Sequence, residues 1–99
     1  MIYVFKKISL IAVEALKIAG EGDLAQAEKL YREVILHAEQ CDHFQLPDFY
    51  HQLVSVLSQM DKPLEALHFY EIGFAISMKQ ANKDNSDIGV GVSQYFLTE

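Results

Sequence analysis

The stretch HAEQCDH, residues 37 to 43, puts two histidines and the only cysteine of the chain close together. On a helix, His37 and Cys41 stand four apart and share a face. With His43, and His51 further on, they are the side chains best suited to zinc. A zinc site takes four nitrogen or sulfur ligands at reachable spacing. The local set supplies three, and no second CxxC or HxxxH completes it. It reads as a polar cluster at a helix end, not as a metal site. Asp61 and Glu65 are neighbouring carboxylates, the raw material of acid–base work, but negative charge is also what a helix N-terminus favours. GVGVS, residues 89 to 93, lacks the strand–turn–helix setting of a dinucleotide fingerprint. No phosphate loop, HExxH motif or nucleophile–base pairing is present. The expectation is a chain that is not an enzyme and carries no cofactor and no metal.

The composition narrows the remaining classes. Half of the 99 residues are hydrophobic, enough for the modest core of one small domain. Eight Lys and Arg face fourteen Asp and Glu, a net charge of −6, and only Lys6 and Lys7 are adjacent. Nucleic-acid binding needs a basic footprint that releases counterions, so that partner class is excluded. Cys41 alone forms no intrachain disulfide, which fits a reducing compartment and a cytoplasmic protein. The N-terminal segment MIYVFKKISLIAVEALKIAG is apolar but interrupted by Lys6, Lys7, Glu14 and Lys17. It falls short of the ~20 apolar residues of a spanning helix. As a leader it would carry Glu14 inside its apolar region. It reads as a domain helix, with no membrane partner.

Periodicity then sets out the elements that must position any site. Val4, Phe5, Ile8, Ile11, Ala12, Ala15, Leu16 and Ala19 recur at spacings of three and four, one face of a first helix. AGEG, residues 19 to 22, stops it. Asp23 suits the N-cap of a second helix from about Leu24 to Cys41, with Gln26 at the capping-box position. Its stripe is Leu24, Ala27, Leu30, Tyr31, Val34, Ile35 and Ala38, and Glu28 with Arg32 offers an i,i+4 pair on the wet side. Pro47 suits the first turn of a third helix, which ends near Gln59 and buries Phe49 or Tyr50, Leu53, Val54, Val56 or Leu57, and Met60. Pro63 suits the first turn of a fourth, from about Lys62 to Gln80. Its stripe is Leu64, Ala66, Leu67, Tyr70, Phe74, Ala75 and Met78. ANKDNSD has the composition of a loop. In the tail, Ile88, Val92, Tyr95 and Phe96 fit a helix face, while Ile88, Val90 and Val92 fit a strand. A short capping helix is the favoured reading, against the weakening effect of Gly89 and Gly91. The fold class is all-α. Residues 1–82 form two antiparallel hairpins (about 4–41 and 46–81), and residues 83–99 a loop and capping helix.

A self-comparison adds a repeat. With Ala27 set on Ala66, Tyr31 falls on Tyr70, Leu24 on Pro63 and Ile35 on Phe74. In the same alignment Ile11 meets Tyr50, Ala15 meets Val54, and Ile18 meets Leu57. This pattern resembles the tetratricopeptide repeat family over about residues 8 to 80. The second repeat carries the pattern well: Tyr50, Leu53, Val54, Leu57, then Ala66, Tyr70 and Gly73. The first, with Ile11, Ala15, Ile18, Ala27, Tyr31 and Val34, departs at Glu14, where a leucine is usual. Glu39 and Met78 stand where the family closes each repeat with proline. The interval from Ala27 to Ala66 exceeds the family's usual period of about 34 and looks like that of its longer-helix members. Small residues at 27 and 66 let backbones approach, and an aromatic one turn on fills the space beside the contact. Two repeats are fewer than the three or so that stacked repeats need for stability.

The resemblance implies a stacked superhelix and a protein or peptide partner in the groove lined by the first helix of each repeat. Carried over by motif position, the groove residues are Ser9, Ala12, Leu16 and Ala19, then Asp48, His51, Ser55 and Ser58. Of these, Ala12, Leu16, Asp48, His51, Ser55 and Ser58 are the candidate partner-binding set, the polar ones alternatively being a solvated face. Ala12, Leu16 and Gln52 stand where one branch of the family holds a carboxylate with lysines and asparagines, which argues against that activity. Competing with partner binding is a structural role as a homo-oligomer, or as a piece of a larger scaffold. The candidate self-association residues are Ile2, Val4 and Phe5 at the apolar start and Tyr95 and Phe96 in the tail.

Overall fold

The computed structural model describes the backbone of residues 2–88 and the side chains of residues 4–82. Four helices follow one another: α1 (Ile2–Gly20), α2 (Leu24–Gln40), α3 (Leu46–Gln59) and α4 (Pro63–Ile88). No strand occurs among the described residues. Each helix packs mainly on the one before it, α2 on α1, α3 on α2 and α4 on α3. The all-α hairpin architecture expected from the periodicity is therefore the observed one.

The three turns share one construction. Gly22, Asp42 and Asp61 sit at φ of 94°, 53° and 61°, in the left-handed region. The N–H of the next residue reaches back to a carbonyl five positions earlier: Asp23 to Ile18 (3.2 Å), His43 to Ala38 (2.9 Å), Lys62 to Leu57 (3.0 Å). This is the hydrogen bond that closes a helix through a left-handed residue and satisfies one of its orphan carbonyls. The two hairpin turns match position for position. The offset that sets Ala27 on Ala66 also sets Gly20 on Gln59, where the first helix of each hairpin ends, and Leu24 on Pro63, where the second begins. The repeat spacing read from the sequence is thus the interval at which the turn geometry recurs. Asp23 accepts the Gln26 N–H at 3.3 Å, as an N-cap should.

The core is assembled around α2 and α3. Ala27, Tyr31, Val34, Ile35 and Ala38 of α2 are buried, with Leu24 and Leu30 half-buried, so the whole expected stripe of that helix faces inward. Leu46, Phe49, Tyr50, Leu53, Val56 and Leu57 of α3 are buried as well. Among the described side chains of α1, Ile8 and Ala15 are fully enclosed, with Ile11, Ala12, Ile18 and Ala19 half-buried. Val4, Phe5 and Leu16, expected on the inner face, lie at the surface, because a single neighbouring helix covers only part of α1.

α4 departs most from expectation. It runs on through ANKDNSD to Ile88, 26 residues in all, where a loop was expected after Gln80. Ala81 and Lys83 favour a helix, Asn, Asp and Ser are only mildly unfavourable in one, and no glycine or proline intervenes before Gly89. Its face is also rotated. Ala66 is buried as expected, but Leu64, Leu67, Tyr70, Phe74, Ala75 and Met78 are exposed. Phe69, Ile72, Gly73 and Ile76 turn inward in their place. Gly73 fixes this rotation. A Cβ there would lie 2.9 Å from the Cβ of Tyr50, so α3 and α4 meet closely at that position. The ring of Tyr50 stacks on Phe69 at 6.0 Å between centroids. The favoured capping helix of the tail lies outside the described residues, as do Tyr95 and Phe96.

Two outcomes test these contacts. Gly73→Leu should overpack the α3–α4 contact and cost about 1–3 kcal/mol, read as a lower urea midpoint with an unchanged slope. An unaltered midpoint would contradict the close approach. Asp61→Gly should raise stability by about 1 kcal/mol, since glycine accepts the left-handed conformation without a Cβ penalty. A fall in thermal midpoint would count against that turn.

Candidate functional site

Asp48, His51, Ser55 and Ser58 recur at intervals of three, four and three along α3, and all four are exposed. The opposite side of α3 carries the buried Phe49, Tyr50, Leu53, Val56 and Leu57, so amphipathicity alone turns this line outward. α4 adds aromatic surface along its edge. The His51 ring stands edge-on to Tyr70 at 6.0 Å, and Tyr70 stacks on Phe74 at 6.3 Å. Together they form a shelf with hydroxyl, imidazole and carboxylate groups on one helix and two aromatic faces on the other. Edge-on and offset-stacked rings are favourable pairings, so these contacts help to pre-arrange the shelf.

The other half of the expected groove is not joined to it. Leu16 is exposed on α1, whereas Ala12 is half-buried against the core. α1 and α3 make no extensive contact, because α2 packs between them in the chain of helices. Ile2 belongs to α1, and its side chain lies outside the description. Val4 and Phe5 lie near the surface, but Phe5 rests edge-on to His43 at 5.0 Å. Tyr70 and Phe74 were expected in the core and are instead the aromatic part of the shelf. A signal for them exists in the sequence. α4 carries two apolar stripes, 66/69/73/76 and 67/70/74/78, and only the small Gly73 marks which one meets a neighbour.

Of the groups at residues 37 to 43, His37 lies on α2, and Cys41 and His43 lie in the α2–α3 turn. Cys41 donates its thiol to the Ala38 carbonyl at 3.8 Å. His43 is buried, stacked on Phe44 at 4.8 Å and close to Phe5 and Phe49. Its Nδ1 accepts the Gln45 N–H at 3.0 Å, which assigns the proton to Nε2. Among the described residues no group of three or more His, Cys, Asp or Glu is arranged to hold a metal ion.

Glu65, one of the two carboxylates considered for acid–base work, is held by Arg32 at 2.9 Å. The same guanidinium binds Glu28 at 2.9 Å and lies 5.0 Å from the centre of the Phe69 ring. Lys62 reaches Glu28 at 3.2 Å. Burial opposes the Glu28 charge, yet the hydrogen bonds and charges of Arg32 and Lys62 outweigh it and hold its pKa below the ordinary value. This network ties α2 to the start of α4. Tyr50 is pushed up to about 12 by burial and by donating to Glu39 at 3.0 Å. Burial alone pushes Tyr31 up. Open hollows lie away from the shelf. One of about 420 Å³ is lined by Asp23, Ala25, Gln26, Glu28, Lys29 and Arg32. Another, about 350 Å³, is lined by Asp42, Ile76, Lys79 and Gln80.

No family model matches the chain, and neither a curated protein nor a solved structure matches it. Among the described residues, no helix is long and apolar enough to cross a membrane.

His43 gives this region a pH dependence. Burial lowers its pKa from the ordinary 6.5. Well above 6.5 the ring is neutral in both folded and unfolded chains. As pH falls below 6.5, the unfolded chain takes up a proton that the fold resists, so stability declines. Unfolding midpoints at pH 7.5 and pH 5.5 should show that decline in the wild type and a smaller one in His43→Phe. An equal decline in both would remove His43 as its source.

Proposed function

We propose that this chain is a non-catalytic protein-binding module, a short tetratricopeptide-like pair of hairpins that holds a peptide or protein segment on the α3–α4 shelf. The observation that carries this reading is the exposed juxtaposition of His51 with Tyr70 and Phe74, with Ser55 and Ser58 one and two turns further along the same line of α3. Aromatic rings on a rigid helical scaffold supply contact area at little conformational cost, and nearby polar groups fix register. The segment that fits best presents apolar side chains to Tyr70 and Phe74 and hydrogen-bonding groups to Asp48, His51, Ser55 and Ser58. With a net charge of −6 on the module, a neutral or basic segment is favoured over an acidic one. The recurrence of the hairpin turn at the offset that sets Ala27 on Ala66 supports the repeat reading. Ala12 and Leu16 belong to a second surface on α1 rather than to this shelf. Cytoplasmic placement, consistent with the lone Cys41, is part of the same proposal.

The double variant His51→Ala with Tyr70→Ala tests it. Both side chains are exposed, so the melting curve should stay within a few degrees of wild type. Partners captured by crosslinked pulldown from the native cell should bind about tenfold more weakly or be lost, the scale of a central aromatic contact. Recovery of the same partners at the same strength would place binding elsewhere.

A further inference from the structure

Among the described residues, α1 and α4 each leave an apolar seam uncovered. On α4, Leu64, Leu67, Glu71, Phe74 and Met78 follow one another at spacings of three, four, three and four. The apolar members of this seam are exposed by 49% to 82%. On α1, Lys6, Leu10, Val13 and Lys17 follow at four, three and four, with Leu10 and Val13 exposed by 64% and 67%. Alternation of three and four is the spacing that keeps one helix seam against another along its length. Within the chain such faces are covered by the next helix. Tyr31 and Ile35 of α2 are buried, whereas Tyr70 and Phe74, their counterparts in the second hairpin, are not. The charges on the two seams are opposite. Glu71 stands inside the α4 seam, and Lys6 and Lys17 bracket the α1 seam. Among the described residues none of these three takes part in an ion pair.

We propose that the outer face of α4 docks α1 of a second copy of this chain, so that copies stack head to tail. The pairing continues the antiparallel alternation of α1 to α4. In the register that sets Lys17 beside Glu71, Val13 falls by Ala75 next to Phe74, and Leu10 falls by Met78. Lys17 thereby answers the one carboxylate that interrupts the apolar seam. The contact is heterologous, so each added copy leaves a fresh α4 face and a fresh α1 face at the ends. The seam adjoins the shelf and shares Phe74 with it. A docked copy and a bound segment would therefore compete at that ring, and the variants below leave His51, Tyr70 and Phe74 unchanged.

Sedimentation of the full chain over a wide concentration range, at about 0.15 M salt, should show species that grow with concentration instead of levelling off at a dimer. Val13→Asp removes the α1 side, and Leu67→Asp with Met78→Asp removes the α4 side. Each variant alone should be monomeric. Mixed, they should form a one-to-one dimer, because each retains the face the other lacks. Lys17→Glu or Glu71→Lys alone should weaken association about tenfold, and the two reversals together should restore it.

Several results would overturn the proposal. One is a wild type that stays monomeric throughout. In that case a lower melting midpoint for the α4 variant would point to another segment of the same chain as the occupant, and an unchanged midpoint to a different protein. A wild type that stops at a dimer, or variants that fail to complement on mixing, would equally rule out head-to-tail stacking.

Discussion

Among the described residues, every change of direction passes through one residue in the left-handed region followed by a backbone hydrogen bond to the carbonyl five positions back. Gly22, Asp42 and Asp61 are those residues. The geometry ends a helix, pairs one of its last carbonyls and turns the chain at once. Short turns of this kind leave consecutive helices little choice but to lie side by side and antiparallel. Glycine supplies the conformation without steric cost, and aspartate tolerates it. The stacking of α1 to α4, and hence which faces are left bare, depends on this constraint.

Packing then proceeds by close approach. Small residues stand where helices meet: Ala15, Ala27, Ala38, Ala66 and Gly73. Around them Tyr31, Leu53, Leu57 and Phe69 fill the space, and the Glu28–Arg32–Lys62–Glu65 network closes one side of the α2–α4 junction. Glu28 is the most enclosed member, which is why two cations bear on it and its charged form prevails despite burial. The inner helices are covered on both sides. Among the described residues the outer helices are covered on one, and so retain apolar seams that a solvated surface helix does not ordinarily show.

The interior stripe of α2 was readable from spacing alone. That of α3 was readable only in outline, because spacing left Phe49 or Tyr50 and Val56 or Leu57 as alternatives. All four are buried, while Val54 and Met60 are only half-buried. Helix starts were readable too. Asp23 caps α2, and prolines at positions 47 and 63 sit in first turns, where a missing N–H costs nothing. The site was only partly readable. Asp48, His51, Ser55 and Ser58 stand out as polar positions on an otherwise apolar helix. Tyr70 and Phe74 do not, since their side of α4 is as apolar as the side that is buried.

Period, capping and turn chemistry are local, and they suffice for where the four helices begin, the offset between the two hairpins and the polar line along α3. Which face of α4 turns inward is not local, because the Gly73–Tyr50 contact selects between two equivalent stripes. The meeting of Phe5 with His43 belongs to the packed molecule as well, as does the service of Glu28 to two helices rather than one i,i+4 pair. So does the separation of the α1 and α3 positions of the expected groove into distinct surfaces. These are contacts between residues far apart in the chain, and their outcome depends on how neighbouring helices divide a limited amount of shared surface.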